Sequence, residues 1–185
     1  MPRQVDPAAR LAAVSDAVVA IAAERGFAAV TIRAVADHLR ASTSVVTHYV
    51  SSRDELLRLA VRRELEVRRA QAERAMAEGP HPLRALVRWA VADLQDQVHR
   101  FWLSLLIAAP TEPVLRTELD GFNAWWGEHL RGLVQRSGAA DPEVVADTLD
   151  VVVDGLVTAG FEDLDAVRRD RVLDRVWSAL GLEDV

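Results

Sequence analysis

The chain contains no cysteine, which excludes a disulfide framework, thiolate metal sites and a cysteine nucleophile. It contains no lysine either: all 22 basic residues are arginine, so Schiff-base chemistry and a P-loop lysine are excluded as well. Neither a glycine-rich phosphate loop nor a G-x-S-x-G elbow occurs. The five histidines, at 38, 48, 81, 99 and 129, include no HExxH and no i,i+4 pair, so no zinc site is expected. These gaps together argue against an enzyme, a cofactor or a metal. The start, MPRQVDPAAR, lacks the apolar core of a signal peptide, and no uninterrupted apolar run reaches 18 residues. A soluble cytoplasmic protein without a membrane partner is expected. No stretch alternates convincingly at period two, which leaves an all-α fold.

Half of the 185 residues are apolar, enough for a substantial core. Aromatics are scarce at 5%, and five of the ten are tryptophan, so each one weighs heavily on its surroundings. The net charge of −6 at first disfavours nucleic acid, but it is unevenly spread. Residues 1–58 hold seven Arg against six acids, net +1, and the remainder holds 15 Arg against 22 acids, net −7. Any nucleic-acid contact must then depend on where particular arginines and helix N-termini sit.

The chain is organised around Thr31 to Leu56. Ile32, Val35, Ala36 and Leu39 form one stripe of a short helix that Thr31 can cap. After a tight connection, Ser42 opens a second short helix. Its Val45, Val46, Tyr49 and Val50 can face inward, leaving Thr43, Ser44, Thr47 and His48 outside. Ser52-Arg53-Asp54-Glu55 reads as a capping box for a much longer third helix. Two short helices on a tight turn, the second exposing small hydrogen-bonding side chains, form a helix-turn-helix pattern. The outward four are therefore candidates for base contact.

This segment resembles the DNA-binding region of the TetR family of bacterial transcriptional regulators, through Gly26, Phe27, Thr31, Ile32, Val35, Ala36, Ser42, His48, Tyr49, Ser52, Arg53 and Leu56. The chain departs from the family pattern at the turn, where glycine and valine are Arg40 and Ala41, and at Thr47, which replaces a phosphate-touching tyrosine. Arg40 must accept a left-handed conformation or force a different turn. By position and resemblance, Arg33, Ser42, Tyr49, Ser52 and Arg53 are assigned to phosphates. Arg3, Gln4 and Arg10, at the start of the chain, could reach phosphate or minor groove.

Further helices are expected from Asp6-Pro7 to Gly26 and from Arg53 to about Ala77, with a clear break at Glu78-Gly79-Pro80-His81-Pro82. Two helices should divide Leu83 to Ala109, with the break placed at Gln97 to Arg100. Pro113 to Arg136 follows, then a helix opened by Asp141-Pro142-Glu143 and running to Phe161, then Leu164 to Leu180. The expected layout is a helix-turn-helix domain over 1–51, joined by a long helix to a larger helical domain over 52–185.

The aromatic group Trp89, Phe101, Trp102, Phe122, Trp125 and Trp126 is either plain core or the lining of a cavity, and adjacent Trp125 and Trp126 cannot point the same way. The resemblance implies a small-molecule pocket here, with Asp93, Gln97 and Glu118 as its polar groups. The carboxylates and the Trp faces favour a cationic apolar ligand. The wide apolar faces of the last two helices, through Val145, Leu149, Val153, Leu156, Gly160, Leu173, Val176 and Trp177, suggest a homodimer, and the resemblance implies a four-helix interface. The expected function is a ligand-responsive regulator, a repressor released from a palindromic operator on double-stranded DNA. The alternative is an all-α interaction module whose helix-turn-helix binds protein.

Overall fold

The computed structural model describes residues 7–92, 96–160 and 165–182. Among them are nine α-helices and one 3-10 turn, and no strand. In chain order the helices are α1 (Pro7–Arg25), α2 (Ile32–His38), α3 (Thr43–Thr47), α4 (Arg53–Glu78), α5 (Pro82–Val91), α6 (Asp96–Ala108), α7 (Pro113–Arg136), α8 (Pro142–Ala159) and α9 (Ala166–Ala179), with the 3-10 turn at Phe27–Ala29. They divide into two compact units, Met1–Val67 with Gln95–Gly121, and Arg68–Leu94 with Phe122–Val185. The expected boundary at residue 51/52 is thus not the division seen. The first unit takes in α6 and the start of α7, because α6 packs along α1 and Phe101 stacks on Phe27 at a centroid distance of 5.5 Å.

Local chemistry sets the start of the first unit. Gly26, at φ 79°, ends α1 in a conformation that costs glycine little. Thr31 Oγ1 accepts a 3.0 Å bond from the Ala34 N–H and so caps α2. The turn after α2 takes the left-handed option: Arg40 sits at φ 52°. The Ala41 N–H then reaches back to the Ala36 carbonyl and the Arg40 N–H to Asp37, the double bond of a Schellman ending. Those two bonds hold a residue that would otherwise avoid this region. The core beneath comprises Val14, Val18, Ile21, Phe27, Val35, Val46, Leu56, Leu57, Phe101 and Leu105, all essentially inaccessible to solvent.

In the second unit, α5, α8, α9 and the later parts of α4 and α7 share one core built on Leu86, Val87, Leu130, Val134, Leu149, Leu173 and Trp177. Asp141 and Asp165 cap α8 and α9 through bonds from the Val144 and Arg168 amides. The break expected at Gln97 to Arg100 lies earlier: Ala92 is extended (φ −104°, ψ 163°) and ends α5, while residues 97–100 lie within α6. No glycine or proline marks that ending, so the pattern of residues gave no sign of it. Asp6, Phe161 and Leu164, named as helix boundaries, lie outside the described residues, as do Arg3, Gln4 and Asp93.

Candidate nucleic-acid interface and effector region

In α3 the inward and outward sets separate as the periodicity requires. Val46 and Val50 are buried, Val45 and Tyr49 half-buried, and Thr43, Ser44, Thr47 and His48 exposed. Ser42 occupies the N-cap position of α3, but its hydroxyl pairs with the Ser44 hydroxyl at 2.6 Å and makes no cap bond to the backbone. These two hydroxyls thus occupy one another on the exposed face. Thr47 Oγ1 lies at the limit of bonding, 3.5 Å from the Ser44 carbonyl, and its hydroxyl stays available. The His48 and Tyr49 rings meet edge to face at 4.9 Å. Together with Ser44, Val45 and Arg10 they line an open recess of about 340 Å³, which brings the arginine of α1 to the face of α3.

Around this face the assigned phosphate contacts divide. Arg33 is exposed and only loosely associated with Asp37, 4.0 Å away, so its guanidinium is free to reach outward. Ser52 Oγ accepts the Glu55 N–H at 3.1 Å, half of the expected capping box. The other half is shifted by one residue: the Glu55 carboxylate takes the N–H and hydroxyl of Ser51, both at 2.6 Å, which holds that carboxyl below its ordinary range.

Arg53 requires a correction. Its Nε donates to the Val30 carbonyl, its Nη2 to the Phe27 carbonyl, and Nη1 and Nη2 together grip both Glu112 oxygens, all at 2.9 Å. The guanidinium is spent inside the protein, tying the 3-10 turn, the segment before α2 and the approach to α7 to the start of α4. The bidentate bonds raise the arginine pKa and hold the Glu112 carboxyl below its usual value. Sequence position suggested a phosphate contact because the residues that accept from Arg53 lie 23 to 59 positions away.

Of the nine residues named for an effector site, the eight that are described fall into both units. Gln97, Phe101, Trp102 and Glu118 belong to the first, and Trp89, Phe122, Trp125 and Trp126 to the second. Phe101 is core, and Glu118 is held by Arg62 through bonds of 2.8 and 3.1 Å, so neither is available as assigned. In the second unit Phe122 and Trp125 meet, while Trp89 and Trp126 find polar or charged partners instead. Phe122 lies 5.6 Å from Trp125, Trp125 stacks on His129 at 4.5 Å, and the Trp126 indole donates to Asp150 at 2.6 Å. Trp125 and Trp126 diverge as their adjacency demanded. Arginines of α4 occupy the ring faces: Arg68 lies 4.9 Å over Trp89, and Arg69 lies 5.9 and 5.8 Å from Phe122 and Trp125. The chain's own guanidiniums thus lie over π faces that a cationic ligand would also use.

The dimerisation set also needs correcting. Val176, which packs against the second unit's own core, and Gly160, at the end of α8, are half-buried, whereas Val145, Leu149, Val153, Leu156, Leu173 and Trp177 are buried in that core. Their burial was read correctly, but its cause is packing within the chain. The exposed apolar residues of these helices are Val144 and Val151 on α8 and Val167 and Val172 on α9, with Val151 71% accessible. Around them α8 carries Glu143, Asp147 and Asp154, and α9 carries Arg168, Arg171 and Arg175, all exposed. Although the residue is exposed overall, partial desolvation of its carboxyl and the neighbouring Asp150 raise the Asp154 pKa above its ordinary value. Among the described residues no helix is long and apolar enough to cross a membrane, and no cluster of side chains could hold a metal ion.

An all-helical chain with a capped two-helix reader at its start and a separate helical unit after it belongs to the class of helix-turn-helix transcriptional regulators. A model of bacterial regulatory proteins of the TetR family matches residues 15–60, and a model of the C-terminal region of BetI-type transcriptional repressors matches residues 80–181. The chain belongs to the TetR family of transcriptional regulators. No curated protein sequence matches it. Among solved structures, a protein described as a transcriptional regulator from Pseudomonas aeruginosa PAO1 superposes with a TM-score of 0.82 at 19% identity, covering 97% of this chain and 94% of that one. A transcriptional regulator from Rhodococcus sp. Rha1 gives 0.81 at 20% identity, covering 92% and 95%. A third, from Saccharomonospora viridis and solved with choline, gives 0.75 at 17% identity, covering 96% and 98%. At these identities the likeness establishes the fold.

Proposed function

We propose that this regulator reads double-stranded DNA through Thr43, Ser44, Thr47 and His48 and leaves it when a small apolar molecule binds the second unit. The observation that carries the DNA half is the exposed row of hydrogen-bonding side chains on α3, backed by buried Val46 and Val50 and flanked by Arg10 and Arg33. Side chains of this size reach base edges in a major groove, and the two arginines supply phosphate charge that the net-negative chain lacks elsewhere. Enrichment from a random duplex pool should yield a palindromic site. Binding should weaken as salt rises, because phosphate contacts release counterions. A helix-turn-helix that binds protein instead would enrich no sequence and show no such salt dependence on duplex.

The effector half rests on Trp89, Phe122, Trp125 and Trp126 of the second unit, aromatic side chains of the kind that line ligand sites. With Arg68 and Arg69 over these rings, the ligand is neutral or anionic; a quaternary ammonium such as the choline of the Saccharomonospora protein would compete with the guanidiniums. Coupling uses α4, which begins six residues after α3 ends and continues past Val67 into the second unit. The ligand must bind the DNA-incompetent state better, and a preference of about 1–3 kcal/mol is typical of such coupling. Tryptophan fluorescence titrated with neutral and anionic lipophiles, alongside competition with labelled operator, tests this half. Quenching without DNA release would refute the coupling.

The outward faces of α8 and α9 support a reading in which two copies pair through them. Val144 and Val151, seven residues apart, mark one stripe, and Asp147 and Asp154 flank it. Val172 lies among Arg168, Arg171 and Arg175 on α9. The acidic face of α8 and the arginines of α9, which alternate with exposed Asp170 and Asp174, complement one another when α8 of one copy lies against α9 of the next.

A further inference from the structure

The face of α6 turned toward α1 carries a groove that neither the DNA-reading surface nor the aromatic cluster uses. It has a volume of about 530 Å³, within the range of small-molecule sites, and lies wholly in the first unit. One wall is α1 with Ala22 and Ala23, followed by Gly26 and Phe27; the other is the α6 row Arg100, Ser104 and Ala108, with Leu103 and Ile107 beside it. Alanines leave the groove open where larger side chains would close it. Ile107 is 69% accessible, an unusual state for a large apolar side chain beside a concave apolar surface.

The polar groups are unevenly distributed along this groove. Arg100, Ser104 and Ala108 succeed one another at intervals of four residues, so Arg100 and Ala108 stand about 12 Å apart along the helix axis. Beyond Ala108 the wall ends at Glu112, whose two oxygens are both taken by Arg53. At the other end Arg100 is exposed, and among the described residues no acid or acceptor meets its guanidinium. The Ser104 hydroxyl also makes no recorded bond among those residues, and it lies 3.9 Å from where a side chain on Gly26 would begin. Among the described residues, an unpaired cation thus stands at one end of an apolar trough, an unpaired hydroxyl lies about 6 Å further along it, and an ion-paired carboxylate closes the far end.

We propose that this groove binds a small amphiphilic anion, with its carboxylate at Arg100 and Ser104 and its aliphatic chain along Ala22, Phe27 and Ile107. Charge complementarity selects the anion, because Arg100 is the groove's uncompensated charge among the described residues. Length selects a medium chain, because the apolar floor ends before Glu112. The site is independent of the aromatic cluster, and its test does not require DNA.

The experiment titrates full-length protein with sodium octanoate by isothermal calorimetry and follows the amide spectrum by NMR. Octan-1-ol and octyltrimethylammonium serve as uncharged and cationic probes. Octanoate should bind with shifts centred on α1 and α6, and the cation should not. Arg100→Gln should weaken octanoate about tenfold, the loss of one charge-assisted contact, while leaving octanol unchanged. Ala23→Leu, which narrows the trough, should weaken both. The thermal midpoint of each variant without ligand is measured first, and Arg100→Lys, which keeps the charge, should restore most of the affinity. Equal octanoate affinity in wild type and Arg100→Gln, shifts confined to the second unit, or no binding at about 5 mM would each overturn the proposal.

Discussion

Arg53 and Glu112 show how one residue pair can carry more structural weight than its place near a DNA-reading face suggests. Replacing Arg53 with alanine leaves the Phe27 and Val30 carbonyls and the Glu112 carboxylate without their donor, and about 2 kcal/mol of stability should be lost in urea denaturation. Because the guanidinium faces inward, the same variant should keep the salt slope of DNA binding, whereas Arg33→Ala should reduce it by about one. Acid should act through Glu112. Its folded pKa lies below the ordinary 4.5, so its contribution is complete above that value and is lost as pH falls through the lowered one. Glu112→Gln should flatten the stability profile in that acid window. Arg40 works in the opposite sense: at φ 52° a glycine would be unstrained, and Arg40→Gly should stabilise the protein by about 0.5–1 kcal/mol in the same assay.

At the scale of elements, α3 and α8 follow one rule with different outcomes. Each is amphipathic, and in each the buried stripe packs within its own unit while the other stripe is exposed. For α3 the exposed stripe carries hydroxyls and an imidazole. Thr43→Ala with His48→Ala should therefore relax base preference, each lost base contact being worth about 1–3 kcal/mol, with no change in folding. For α8 the exposed stripe carries Val144 and Val151. Val151→Arg should give a folded monomer by sedimentation and circular dichroism. Leu156→Arg, placing a charge in the second unit's core, should unfold the chain. Dissociation by both variants without loss of helicity would mean that the buried and exposed stripes had been exchanged. The α5–α6 break illustrates where patterns fail: Ala92 ends a helix through its backbone conformation, with no residue type that marks an ending.

For the molecule as a whole, the charge distribution sets the mode of DNA binding. With a net charge of −6 and only a slight positive excess over residues 1–58, no broad field steers the duplex. On the proposed reading, affinity comes from a few arginines and the exposed row of α3, so the dependence on salt should be shallow for a DNA-binding protein. The division into units is also a property of the whole. α6 and the beginning of α7 join the DNA-reading helices, although more than forty residues of chain separate α3 from α6.

What the sequence determined by itself was local. The caps at Thr31 and Asp141, the closure at Gly26, the conformational choice forced on Arg40 and the two faces of α3 depend on residues within one or two turns, where steric and hydrogen-bonding rules act directly. Helical periodicity likewise identified Leu149, Val153 and Trp177 as buried. Tertiary structure decided what buried them, because an apolar stripe packs equally well against its own chain or a second copy. It also decided that Arg53 meets Glu112, that Arg68 and Arg69 cover the tryptophan rings, and that a trough remains beside Ile107. Each of these joins groups far apart along the chain, and only the packing of whole helices brings them together.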